Sequence, residues 1–327
     1  MLAKRRKIQL ANGTQITTPL LLPSFSSKTL LDERVEKILE YHKSVITDEL
    51  LVSAYDVYYK LIKEKQTRFC STVFLDSGGY EASQDVDLSD QTGIAAIPQP
   101  WKNTFHQKVL DAWDFTHPTV VVSYDNPRAK ITLEKQIKRA TALFARYPNA
   151  TAEFLIKAER SDQRFLCIAD ITRRAHDLSK FAIIGITEKE IGGSTMERMV
   201  NIAKLRNSLN LVGLETPIHV FGSLDTVSSV LYFLAGADIF DGLTWLRYAY
   251  ENGNTLYKHN YGARTLGITF EDFRMNAKIW NDNYYYLLRL RDDMGRYLLN
   301  SDFKVFGANA DFFLRAFDQF QAHMKGI

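Results

Sequence analysis

The chain has 327 residues, 46% hydrophobic and 12% aromatic, with 41 Lys and Arg against 38 Asp and Glu. Eight prolines, seventeen glycines and charges of mixed sign exclude a disordered or fibrous chain, and the formal charge of +3 permits nucleic-acid binding without demonstrating it. Two cysteines, Cys70 and Cys167, are too few for a disulfide framework or a four-thiolate zinc site, which points to a reducing, cytoplasmic setting.

In chain order, Lys4-Arg5-Arg6-Lys7 is basic but is not followed by the apolar stretch of a signal peptide, and it reads as a solvated terminus or a phosphate contact. Asn12-Gly13 between short β-prone runs predicts an N-terminal hairpin, because the pair readily takes the positive φ of a tight turn. Eight short apolar runs follow, at 19–22, 44–47, 73–76, 119–124, 152–156, 182–184, 218–221 and 238–240. Among them, apolar residues recur at three- and four-residue spacing over 51–63, 133–147, 162–177, 195–208 and 225–235, the pattern of amphipathic helices. These alternations predict the α/β class and a (β/α)8 TIM barrel over 1–257. The competing open doubly wound sheet would carry a glycine-rich phosphate fingerprint near its first crossover, and none occurs. Beyond Lys258 the pattern turns helical and aromatic, with Tyr284-Tyr285-Tyr286 and Phe312-Phe313, and predicts a helical C-terminal appendage over 258–327 packed on the barrel. No run approaches the ~20 apolar residues of a membrane span.

A parallel barrel builds its site at the C-terminal ends of its strands. The third run ends in Asp76-Ser77-Gly78-Gly79-Tyr80 and the fourth reaches Asp125; the fifth reaches Lys157 and the sixth Gly185. The seventh ends in Phe221-Gly222 and the eighth in Asp241-Gly242. Three carboxylates thus converge on one rim, beside glycines that let a backbone approach a ligand closely. Paired carboxyls in contrasting environments can act as nucleophile and proton carrier on a glycosidic bond, stabilising or trapping an oxocarbenium-like centre. The same oxygens could bind a divalent cation or cap the following helices, and the residue pattern leaves those alternatives open.

The segment Phe74-Leu75-Asp76-Ser77-Gly78-Gly79-Tyr80 resembles the Asp-Ser-Gly-Gly-aromatic signature of the tRNA-guanine transglycosylase family. Ala237-Asp238-Ile239-Phe240-Asp241-Gly242 resembles that family's Phe-Asp motif, and the stretch after it, with Trp245, Arg247, Tyr248 and Tyr250, is closer to the archaeal and DNA-directed branches. The resemblance runs from Thr18 to Tyr257. It implies Asp241 as the nucleophile on the sugar's anomeric carbon, Asp76 in proton transfer and Asp125 as reader of the base's polar edge. Ser77, Gly78 and Gly79 would complete the pocket floor, Tyr80 would offer a stacking face, Phe221 and Gly222 would pack against the base, and Arg247 would contact a phosphate. Trp101, Lys102, His106, Trp245, Tyr248 and Tyr250 would suit extrusion of a base from a duplex, with core packing as the competing role for Trp245 and Tyr248.

Departures from the family narrow the expectation. Its Cys-x-Cys-x-x-Cys and later histidine, which bind structural zinc, have no counterpart, since no cysteine follows Cys167; no metal or cofactor is expected. Lys157-Ala158-Glu159 stands where the family has Gln-Gly, and Ile184-Gly185-Ile186 where it has Gly-Gly. The implied function is cleavage of the N-glycosidic bond of a nucleobase in nucleic acid, DNA favoured over tRNA. The cleaved base is either exchanged for a free nucleobase or, if modified, excised by water. The alternative is a non-catalytic subunit of the same type that binds RNA or a partner. A homodimer is compatible with the chain, and no membrane partner is expected. His219, Cys70 and Cys167 read as packing residues, and Arg289 to Asp293 as a solvated helix face.

Overall fold

A computed structural model describes residues 2–28, 35–84, 88–89, 97–125 and 129–326. The N-terminal hairpin pairs β1 (Lys7–Gln9) with β2 (Gln15–Thr17) in antiparallel register. Eight parallel strands then close a barrel: β3 (Leu20–Phe25), β4 (Glu49–Ser53), β5 (Thr72–Asp76), β6 (Thr119–Val122), β7 (Thr151–Leu155), β8 (Ile183–Thr187), β9 (Ile218–Phe221) and β10 (Ile239–Gly242). The last strand pairs back onto the first, Ile239 opposite Leu20 and Asp241 opposite Leu22. The fold is therefore the expected α/β barrel.

Side-chain alternation along each strand fills the barrel from within. Leu20, Leu22, Leu51, Phe74, Val120, Ile183 and Ile239 form an axial cluster, and the hairpin adds Ile8 and Leu10 to it from below. Ala11 N donates to Thr151 Oγ1 at the start of β7, which fixes the hairpin under the N-terminal mouth. At that same end Asp238 accepts from Arg6 Nη1 (2.7 Å), Arg206 Nη2 (2.6 Å) and the amide of Ile218 (2.8 Å). All three ionic side chains are buried, so the carboxylate is the shared counterion of two guanidiniums.

The outward strand faces pack on helices α1 (Val35–His42), α2 (Ala54–Tyr58), α3 (Gly79–Ala82), α4 (Asn103–Ala112), α5 (Leu133–Arg146), α6 (Ile168–Arg173), α7 (Thr195–Leu211) and α8 (Ser228–Leu234). Local chemistry starts the longer ones. Thr132 caps α5 by accepting from Lys135 N, and Leu133, Ile137, Ala140 and Leu143 bury one face. Ser194 caps α7 by accepting from Glu197 N, while Glu197 reaches back to the amide of Gly193.

Three expected elements are corrected, the helix expected over 51–63 being only the short α2 at Ala54–Tyr58. The second barrel strand lies at Glu49–Ser53 and not at 44–47, where the amides of Val45 and Ile46 both return to His42 O as the closing turn of α1. Leu50, Leu51 and Val52 are buried on both strand faces, and such an unbroken apolar run has no periodicity to separate it from the start of the helix expected over 51–63. Ser53 ends β4 and caps α2 through Tyr55 N. The helix expected over 162–177 is shorter, α6 followed by a 3-10 turn at Ala175–Lys180.

After β10 come α9 (Thr244–Arg247), a small hairpin of β11 (Ala249–Glu251) and β12 (Asn254–Leu256), then α10 (Lys258–Leu266), α11 (Asp272–Asn300) and α12 (Ala310–Lys325). Helix α11 lies against the barrel, burying Trp280, Tyr284, Leu287, Leu290, Met294 and Tyr297. Its Asn283 accepts from Tyr250 N (2.7 Å) and donates to the carbonyls of Trp245 and Tyr248 (2.6 and 2.7 Å). One turn earlier, Trp280 Nε1 donates to Leu246 O. Toward the other end Arg291 pairs with Asp48 (2.8 Å), and Gly295 leaves room for the Arg5 guanidinium. Among the described residues no helix is long and apolar enough to cross a membrane.

Candidate active site

At the C-terminal mouth of the barrel, Asp76 from β5, Asp125 after β6, Lys157 after β7, Phe221 and Gly222 at and after the end of β9, and Asp241 from β10 all open onto a shared cavity. Ser77, Gly79 and Tyr80 complete its wall. The carboxylates expected to converge on one rim therefore do share one cavity.

Asp241 is 6% exposed and heavily hydrogen-bonded. Its Oδ2 accepts from Ser24 Oγ (2.9 Å), and its Oδ1 accepts from the amide of Gly222 (3.1 Å) and faces His219 Nε2 (3.2 Å). The Gly222 amide reaches Oδ1 because the chain turns there at φ +80°, a conformation that favours glycine. Ser24 Oγ in turn accepts from Gly242 N (3.1 Å), so its hydroxyl proton is left for the carboxylate.

Asp76 sits in the opposite setting. Its Oδ2 accepts from the amide of Gly78 (3.1 Å), made possible by φ +85° at that glycine. Burial pushes its carboxyl well above the ordinary range, and the like charges of Glu81, Asp125 and Asp241 push the same way. Glu81 behind it is also raised by burial, although Ser26 Oγ (2.5 Å) and Ser53 Oγ (2.7 Å) donate to its two oxygens. Asp76 is thus a carboxyl suited to carrying a proton, while Asp241 is surrounded by donors suited to an anion.

Ser77 Oγ donates to Asp125, and Gly79 packs so tightly on that carboxyl that a Cβ there would stand 2.7 Å from Asp125 Cγ. Lys157 Nζ pairs with Glu190 at 2.5 Å, and Thr187 Oγ1 also donates to Glu190. Burial opposes the charge of both partners, yet each holds the other ionised, the lysine raised and the glutamate lowered. This wall offers both a donor and an acceptor to a ligand edge. Tyr80 is held by Arg247 Nη2 at its hydroxyl (2.9 Å) and by Lys28 Nζ over its ring (4.2 Å).

Several expected site residues lie elsewhere. Trp245 is fully buried, donating to Ser24 O and meeting Phe25 and His42 edge-on, so it packs beneath the rim and supports Asp241 at second hand. Gly78 backs onto Tyr55 and Trp101, and Gly185 lies under Phe221 where any Cβ would strike that ring. Arg247 also donates to Ser89 Oγ (2.6 Å). Tyr250 and His106 are buried, which removes both from a nucleic-acid-facing position, and that burial lowers the His106 pKa to about 4. Cys70 is buried, with burial raising its thiol to about 12, as a packing residue should be, whereas Cys167 is exposed and does not pack.

His219, read from the sequence as a packing residue, and Glu153, not singled out there, meet beneath Asp241. Both are fully buried on the barrel axis, His219 Nδ1 2.7 Å from Glu153 Oε1, with the Phe221 ring stacked on the imidazole at 3.9 Å. The signal was the strand parity that places residues 219, 221, 239 and 241 inward. Among the described residues no group of three or more His, Cys, Asp or Glu is arranged to hold a metal ion. Compared with known proteins, the chain matches no family model, and no curated protein sequence matches it significantly.

Proposed function

We propose that the chain cleaves the N-glycosidic bond of a nucleobase in nucleic acid, as a barrel of the tRNA-guanine transglycosylase type without the zinc module, with DNA favoured over tRNA. The observation that carries this reading is the pair Asp241 and Asp76, opening on one cavity in contrasting electrostatic settings. Asp241 attacks C1′ of the nucleotide; a C1′–O bond forms as the C1′–N bond breaks, and the departing base takes the electron pair together with the proton held by Asp76. Phe221 and Tyr80 supply flat faces to the base, while Asp125 and the Lys157–Glu190 pair face its polar edge. The glycosyl ester is then resolved either by a free nucleobase, which gives exchange, or by water, which gives excision and an abasic site.

The test is incubation of the protein with duplex DNA carrying single modified bases, and with tRNA, followed by assay for base release, alkali-labile sites and a covalent adduct. Adduct and release are expected with the wild type and lost in Asp241→Ala. Full activity in that variant, or no base release from any substrate, would overturn the proposal.

A further inference from the structure

Of the buried ionisable groups outside the rim, Glu153 and His219 make the most specific arrangement. The imidazole lies between two carboxyls, Nδ1 at 2.7 Å from Glu153 Oε1 and Nε2 at 3.2 Å from Asp241 Oδ1. A neutral imidazole has one N–H, so with both carboxyls ionised it would turn a bare lone pair toward one of them. Asp241 Oδ1 already receives the fixed amide of Gly222, which marks that oxygen as an acceptor. The ring nitrogen facing it must therefore carry hydrogen, and the remaining proton lies between Nδ1 and Glu153. Glu153 Oε2 has no partner among the described residues, so His219 is the group that balances Glu153.

We propose that His219, held as an imidazolium by Glu153, is a positioning residue that fixes Asp241 so that Oδ2 is the attacking oxygen. This rests on the glycosidic reading of the site above. Among the described residues Oδ1 is engaged by two N–H donors, His219 Nε2 and the Gly222 amide, whereas Oδ2 has the Ser24 hydroxyl alone. When the Oδ2–C1′ bond forms, Oδ1 becomes the ester carbonyl oxygen, still bonded to the His219 N–H and the Gly222 amide. When the incoming base or water bonds to C1′, the Oδ2–C1′ electron pair returns to Asp241, and the imidazolium stabilises the returning charge. His219 transfers no proton in either step.

The other elements packed around the ring present Phe74 from β5, Gly185 from β8 and Phe221 from its own strand. Glu153 from β7 and Asp241 from β10 are the charged groups facing it among the described residues. Burial alone would lower the imidazole pKa, but these two carboxylates outweigh it and raise it to about 9.

Two measurements on the full chain test the assignment. In histidine-¹⁵N NMR without substrate, both His219 nitrogens are expected to stay protonated at neutral pH and to titrate near 9, with the midpoint lower by about one unit or more in Glu153→Gln. A neutral ring at pH 7, or an unmoved midpoint in the variant, overturns the proposal. In single-turnover base release from duplex DNA, using the modified base found active above, the rate of Glu153→Gln relative to wild type is expected to fall as pH rises toward 9, a ratio from which the titration of Asp76, common to both proteins, cancels. His219→Gln is expected to slow kcat roughly 10- to 100-fold with KM little changed. A Glu153→Gln to wild-type rate ratio that does not change with pH, or a wild-type rate in folded His219→Gln, overturns it as well. If wild-type protein releases no base at all, the glycosidic reading fails and the NMR titration alone decides the charge on His219.

Discussion

Replacing Asp76 with asparagine is expected to move activity and stability in opposite directions. Asparagine keeps the volume and an oxygen for the Gly78 amide, 3.1 Å away in the wild type, but has no proton to give. Loss of a positioned general acid costs roughly 10²- to 10⁴-fold, or about 3–5 kcal/mol of transition-state stabilisation. The stability effect follows from linkage. The folded-state pKa of Asp76 is raised by burial, so above the unfolded value the native protein holds a proton that the unfolded chain releases, and stability falls as pH rises through that window. A neutral amide has no proton to hold against the solvent and escapes this loss. Asp76→Asn should therefore raise the urea midpoint at pH 7, and the gain should vanish below about pH 4, where the unfolded carboxyl is protonated too. Single-turnover base release and urea titrations at both pH values make the comparison. A variant with the wild-type rate, or one less stable than wild type at pH 7, would refute the assignment of Asp76 as a buried proton carrier.

Asp238→Asn should cost about 3–5 kcal/mol in urea unfolding, because the buried guanidiniums of Arg6 and Arg206 lose their shared counterion; near-wild-type stability would mean that the charges are solvated. Gly79→Ala should turn the Asp125 carboxyl away from Ser77, raising KM for the nucleic acid while leaving the Asp241 adduct possible, and an unchanged KM would show that Asp125 does not face the base. The raised His219 pKa predicts about 3 kcal/mol of stability that is fully present below pH 6.5 and lost as pH rises to about 9. Urea midpoints across that range should fall more steeply for wild type than for Glu153→Gln, and parallel slopes would count against the coupling.

The rim was legible because each carboxylate follows an apolar run, and a barrel admits one place for such residues. Asp76, Asp125 and Asp241 could be assigned without knowing which strands are neighbours. The buried dyad was not legible in that way. His219 stands in the apolar segment Ile218–Phe221 and Glu153 in Thr151–Leu155, and their contact depends on the register that sets β7 and β9 on either side of β8. Parity alone would have shown that both point to the axis, where an ionisable group needs a partner. Trp245 was left between base extrusion and core packing for a related reason: past the end of β10 the alternation stops, and the chain turns inward at α9, where the indole is buried. At β4 the unbroken Leu50-Leu51-Val52 run concealed the period that marked the other strands.

Helix α11 has a consequence for how the mouth of the barrel is kept in shape. It meets Leu246 through Trp280 and the Trp245–Tyr250 backbone through Asn283, and it reaches Asp48 and Arg5 at the opposite end. A rod fastened at top and bottom acts as an external strut, and the serine that steadies Asp241 hangs from its upper fastening by way of the Trp245 indole. Residues 258–326 are in that sense part of the scaffold of the site: severed at Tyr257, the chain would keep every acidic group at the rim yet lose the brace that sets their spacing.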